Sequence, residues 1–159
     1  TVRPSAEALL RMARVGKPAP ELVSIQPVPG SATIRSMAAL RGRVVLVEFW
    51  APWCTACRMA SPQLNEWTRM YAARGLTVVG VGAEPAAELA DAARTWGLAY
   101  PIVSDPAQAT WKAWGVREIP AMLLVDRRGV VRDVVSGFDP ARFRELQAAI
   151  DRLIAEPAR

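Results

Sequence analysis

Cys54 and Cys57 are the only cysteines in a chain of 159 residues, and they lie in the stretch EFWAPWCTACRM (48–59), directly behind an apolar run. Such a pair could staple a loop, hold a metal or exchange electrons. A bridge between residues three apart closes a very small loop and so removes little entropy from the unfolded chain, which makes stapling a poor use of it. Structural zinc needs four ligands drawn from cysteine and histidine. The chain offers two cysteines and no histidine, so no metal is expected unless a second chain completes the site. A copper site that couples two cysteines to a histidine is excluded for the same reason. Thiol–disulfide exchange needs only one sulfur held as a thiolate and a second within reach, and the spacing supplies both.

The elements around the pair place it for that chemistry. VVLVEFW (44–50) is a β-branched and aromatic run of strand length, the pattern of a strand covered on both faces. A helix is expected from Thr55 to Arg74, with Leu64, Trp67 and Tyr71 on one face, a bend at Pro62 and a stop at Gly75. Cys54 therefore falls at a helix N-terminus. There the unpaired backbone N–H groups and the macrodipole favour a thiolate, so Cys54 reads as the nucleophile. Cys57, one turn further on, reads as the more buried resolving partner. A CxxC at a strand-to-helix junction in a βαβ setting is the pattern of a dithiol redox site.

Further along, LTVVGVG (76–82) reads as a second buried strand and Glu84-Pro85 opens a helix that Gly97 ends. YPIVSD holds a short third strand, and Asp105-Pro106 caps a short helix ending near Gly115. AMLLVD (121–126) and VVRDVV (130–135) flank the turn DRRG as a hairpin, and Asp139-Pro140 starts a last helix with the stripe Phe143, Leu146, Ile150 and Leu153. Ahead of all this, AEALLRMAR behind Ser5 reads as a short helix or a frayed tail. Residues 16–43 read as an irregular or hairpin lead-in with a turn of helix near Ser36 to Leu40. The order calls for one α/β domain over 1–159, with a lead-in at 1–43 and a core at 44–155. Its central sheet should be mixed but mainly parallel, with helices on both faces.

Three supporting residues follow from this arrangement. Glu48 is the only charge in its strand, six residues before Cys54. A carboxyl buried there keeps its proton more readily than usual and suits proton exchange with Cys57, unless it snorkels to water at the strand end. Trp53 reads as an exposed rim for substrate and Trp50 as packing. Trp67, Trp96, Trp111 and Trp114 lie at helical spacings and read as core, and Arg58 as solvated.

Composition bounds the rest. Apolar residues make up 52% and charged residues 22%, the balance of a globular protein with a substantial core. No stretch approaches ~18 uninterrupted apolar residues. The chain opens at Thr1 with no basic-then-apolar leader, so a leader or anchor removed ahead of it is the expectation. The net charge of +5 rests on 18 arginines among 20 basic residues, spread along the sequence. That spread argues against a nucleic-acid partner and for a solvated basic surface.

EFWAPWCTAC resembles the active-site segment of the thioredoxin superfamily, CRMASP continues the match to the proline of its active-site helix, and VREIPAMLLVDRRG is similar to its later proline loop. GKPAPEL with LRGRVVLVEFW, and the extra helix and strand before Pro120, resemble the TlpA/ResA/CcmG branch of extracytoplasmic, membrane-associated thiol-disulfide proteins. The resemblance implies a thioredoxin-like fold with an N-terminal extension and an inserted helix-strand element. It implies a cis bond before Pro120, with Ile119 and Pro120 pairing with extended substrate and Glu48 standing where thioredoxins bury an aspartate. It further implies disulfide- or thiol-bearing protein partners, a membrane thiol donor, a periplasmic setting, no cofactor and a monomer. Thr55-Ala56 lacks the proline usual before the second cysteine, Ala60 stands where the ResA-like members carry glutamate, and GAEP (82–85) matches the CcmG acidic loop poorly. These departures keep a role in cytochrome c biogenesis from being carried over. The expected activity is reduction of partner disulfides. The alternatives are oxidation of secreted thiols or a non-catalytic client-holding module. A peroxidase reading is weaker, because Ala51 occupies the place of that relative's threonine.

Overall fold

The computed structural model describes residues 2–158. The chain order is α1 (Ala6–Arg14), β1 (Gln26–Pro27), β2 (Val44–Trp50), α2 (Thr55–Tyr71), β3 (Leu76–Gly82), α3 (Ala86–Trp96), β4 (Ile102–Ser104), α4 (Ala109–Trp114), β5 (Ala121–Val125), β6 (Val131–Ser136) and α5 (Pro140–Ala155). One six-stranded sheet runs β1-β4-β3-β2-β5-β6. Pairings β2–β3 and β3–β4 are parallel, while β1–β4, β2–β5 and β5–β6 are antiparallel. The sheet is mixed, as expected. Most of its strands point one way even though antiparallel ladders outnumber parallel ones.

β2 lies at the centre because every residue in it is apolar except Glu48, and all seven are buried. Side chains alternate across the pleat. Val44, Leu46 and Trp50 therefore enter the layer formed with α2, α3 and α5, and Val45, Val47 and Phe49 enter the layer beneath α1 and α4. Glu48 shares the α2 side by the same alternation. The second layer is closed by Phe49, which meets Trp111 edge-on at 5.8 Å and Trp114 at 5.6 Å between ring centroids.

Pro62 sits inside α2 and cannot donate to the carbonyl of Arg58, four residues back. The Ser61 hydroxyl donates to that oxygen at 2.8 Å, so the helix runs through the proline with the acceptor satisfied. The helix then tightens into a 3₁₀ turn, Ala72–Arg74, and Gly75 ends it at φ 113°.

The lead-in is anchored. Ser5 caps α1 by accepting from Ala8 N–H at 3.0 Å, which decides for the helix over a frayed tail. Arg11 pairs with Asp133 at 2.7 Å, and Arg14 donates to the carbonyls of Trp114 and Ala113 at the end of α4. The expected turn of helix is a 3₁₀ turn at Ala38–Leu40, and β1 covers the edge of β4 without forming a hairpin of its own.

One boundary differs from expectation. α4 begins at Ala109, behind Gln108 in the left-handed region, and not directly behind Asp105-Pro106. Asp105 serves the same helix from further away, its carboxylate accepting from Trp111 N–H at 2.9 Å.

Candidate active site

β2 delivers the chain to one end of the sheet, where Ala51-Pro52-Trp53 turns it into α2. The turn is closed by Cys54 N–H donating to Ala51 O at 3.1 Å. Cys54 is the N-cap of α2, with extended backbone (φ −89°, ψ 106°), and its Sγ accepts from Cys57 N–H at 3.1 Å. A sulfur held there faces unpaired helix N–H groups, which lowers the cost of carrying negative charge when the disulfide opens. The two cysteines form a disulfide with Cα atoms 5.2 Å apart. Cys54 is 7% exposed and Cys57 1%, so the outer sulfur offers only a narrow line of approach.

Glu48 lies in the same buried layer as both cysteines, 1% exposed, in register with Gly80 on β3 and Met122 on β5. The snorkelling alternative is thereby overturned, because a strand flanked on both sides and covered on both faces leaves the carboxyl no route to water. Burial raises its pKa, a hydrogen bond from the Tyr100 hydroxyl, 3.3 Å from Oε1, lowers it part of the way back, and the net result is a pKa raised to about 8. Among the described residues Oε2 has no hydrogen-bond partner. Burial and the neighbouring Glu48 push Tyr100 well above the ordinary phenol range.

Pro120 opens β5 from the same end of the sheet, since Ala121 pairs with Phe49 at the tail of β2. The Ile119–Pro120 peptide is cis, and Pro120 O accepts from Gly137 N–H at 2.8 Å. Trp53 is 73% exposed, and its indole N–H donates to Glu84 Oε2 at 3.0 Å. Trp50 is buried against Trp96, with ring centroids 5.3 Å apart, and Arg58 is exposed with its guanidinium 6.0 Å from the Trp96 ring. Every site residue named from the sequence thus lies at this end of the sheet or in the layer beneath it. Among the described residues, no group of three or more His, Cys, Asp or Glu could hold a metal ion.

Sequence reasoning missed Tyr100, Glu84 and Asn65. Asn65 lies on α2, donates to Gly97 O at 2.9 Å and accepts from Ala99 N–H at 2.7 Å, which ties the loop carrying Tyr100 to the active-site helix. No spacing rule joins residues this far apart in the chain, so no local signal could have found them.

The AhpC/TSA family model matches residues 15–134. The chain is 31% identical over 124 residues to the thiol-disulfide oxidoreductase ResA of Geobacillus thermodenitrificans, covering 77% of this chain and 70% of that protein. It is 37% identical over 115 residues to the protein DipZ of Mycobacterium tuberculosis, covering 69% of this chain but only 16% of DipZ. Among solved structures, a Chlorobium tepidum protein described as a thiol:disulfide interchange protein DsbE superposes with a TM-score of 0.80 at 28% identity, covering 89% of this chain and 98% of that one.

Proposed function

The chain belongs to the AhpC/TSA family, thioredoxin-like in fold, and from that premise we propose that its Cys54/Cys57 dithiol reduces disulfides in partner proteins. The observation that carries this reading is the cysteine pair at the junction of β2 and α2, with Cys54 capping the helix and Cys57 N–H aimed at its sulfur.

In the forward half-reaction the Cys54 thiolate attacks one sulfur of a partner disulfide. The partner's S–S bond breaks, its other sulfur leaves as a thiolate, and a mixed disulfide to Cys54 remains. Glu48, as carboxylate, takes the Cys57 proton. The Cys57 thiolate then attacks Cys54 Sγ and expels the partner's second sulfur. Two electrons have moved to the partner and the Cys54–Cys57 bond is closed.

Regeneration runs the same steps with a dithiol protein as electron donor. Its thiolate attacks Cys54, the internal bond breaks towards Cys57, and the protonated Glu48 supplies the proton that a buried Cys57 thiolate needs. A carboxyl pushed up to about 8 is protonated in most molecules at neutral pH, which suits it to the acid half of this cycle. Trp53, Ile119 and Pro120 form the rim against which an extended partner segment pairs its backbone, a form of strand addition.

The relatives named as thiol-disulfide oxidoreductase and thiol:disulfide interchange protein support thiol- or disulfide-bearing protein partners, and the resemblance to the TlpA/ResA/CcmG branch suggests an extracytoplasmic setting with a membrane-embedded thiol donor. The test is equilibration of the Cys54/Cys57 couple against glutathione together with an insulin-reduction assay. A reductant gives a potential near that of thioredoxin, about −270 mV, and loses turnover in Cys54→Ser; a potential near −120 mV makes it an oxidant instead. Absence of turnover in both wild type and Cys54→Ser would favour a client-holding module.

A further inference from the structure

We infer that Tyr100 is a positioning residue for the exchange reaction: its hydroxyl holds Glu48 by Oε1 and leaves Oε2 free to pass the proton to and from Cys57. The inference rests on Glu48 being the proton carrier, as proposed above.

Geometry carries it. Tyr100 is 5% exposed and Glu48 is enclosed, so neither has bulk water as an alternative partner. Among the described residues the Tyr100 hydroxyl is the only group bonded to the carboxyl. Strands on either side offer nothing polar in its place, since Gly80 and Met122 flank Glu48 in register. The apolar cluster around Glu48 also holds Cys54, Cys57 and Tyr71, all on or capping α2, and the polar groups that α5 brings to this layer, Gln147 and Asp151, are directed at Tyr71 and Trp67 while the Tyr100 hydroxyl serves Glu48. Tyr100 is itself fixed from α2, through the paired bonds of Asn65 to Gly97 and Ala99 on the loop that carries it. The helix that bears the cysteines therefore also sets the partner of the carboxyl beneath it.

The bond acts on both halves of the cycle. When the internal disulfide opens, the bond's electron pair goes to Cys57 Sγ, the Glu48 proton follows, and a carboxylate remains. Tyr100 then donates to an anion in a dry layer, where such a bond is stronger than to a neutral acid. Its removal raises the Glu48 pKa further and leaves less carboxylate to deprotonate Cys57 in the resolving step.

The test compares Tyr100→Phe, which keeps the ring and removes one oxygen, with Glu48→Gln. The readouts are release of a mixed disulfide from Cys54 as a function of pH and the carboxyl titration of Glu48 by carbon NMR. For Tyr100→Phe we expect the acid limb of the release profile and the Glu48 titration to move together to higher pH. We also expect release near pH 7 to slow about tenfold, the scale of losing a hydrogen bond to a charged group, with the rate of Cys54 alkylation unchanged. A Glu48→Gln variant that flattens the limb while Tyr100→Phe keeps the wild-type profile would overturn the role of Tyr100 alone. A wild-type profile in Glu48→Gln would overturn the proton-carrier reading and this inference with it.

Discussion

The indole N–H of Trp53 donates to the Glu84 carboxylate at 3.0 Å, across the gap between the turn before α2 and the end of β3. A tryptophan 73% exposed beside a disulfide would sample many rotamers without such a tether. Fixing the ring in advance spares a partner the entropy of ordering it.

Trp53→Ala is therefore expected to raise KM for a protein disulfide by about five- to twentyfold, the scale of losing one aromatic anchor. Turnover of a small disulfide, which needs no rim, should be nearly unchanged. Glu84→Gln should give a smaller rise. Steady-state kinetics on both substrates checks the split, and an equal loss on both would remove Trp53 from partner binding.

Reduced protein treated briefly with a thiol alkylator at neutral pH should be modified at Cys54 and spared at Cys57, because the first caps the helix and the second is closed off. Cys57→Ser should accumulate a mixed disulfide through Cys54, visible by mass spectrometry, whereas Cys54→Ser should form none. Label appearing first on Cys57 would reverse the assigned roles.

Glu48 should make the oxidised protein less stable as pH rises. Its folded pKa of about 8 stands above the ordinary 4.5. Between those values the unfolded chain has released a proton that the folded protein still holds, so unfolding stability falls by up to ~1.4 kcal/mol per pH unit and levels off above pH 8. Glu48→Gln should lack this slope and be more stable than wild type at pH 8 to 9. Urea denaturation across the window decides it, and parallel curves for the two proteins would count against a carboxyl kept neutral by burial.

Gly80→Ala should destabilise the fold by about 1–3 kcal/mol, the usual cost of overpacking. A Cβ at Gly80 would lie 2.9 Å from the Trp50 indole nitrogen and 3.0 Å from an Ile102 methyl, in a strand with no room to shift. The loss is read as a lower denaturation midpoint. A neutral result would mean that Trp50 moves aside more easily than its packing on Trp96 implies.

Much of the site was legible because its parts are local. The apolar run before Cys54, the two-residue gap to Cys57 and the apolar stripe behind them specify a buried strand, a turn and a helix through hydrophobic period and capping. Those forces act within a few residues. The short elements were harder. α4 starts at Ala109 because Asp105 reaches Trp111 from outside the helix, a bond that a rule about adjacent residues does not contain.

What the sequence determined by itself is the reactive pair, its place at a helix N-terminus and a lone carboxyl six residues upstream. What only the tertiary structure decided is how that carboxyl is kept. Sheet order places Glu48 between Gly80 and Met122, with no charge beside it, and the Asn65 clamp brings in Tyr100 from 52 residues away. The reason is physical. Periodicity says which side of a strand is buried, whereas the protonation of a buried group depends on every dipole around it, and those come from segments that meet only after the chain has folded.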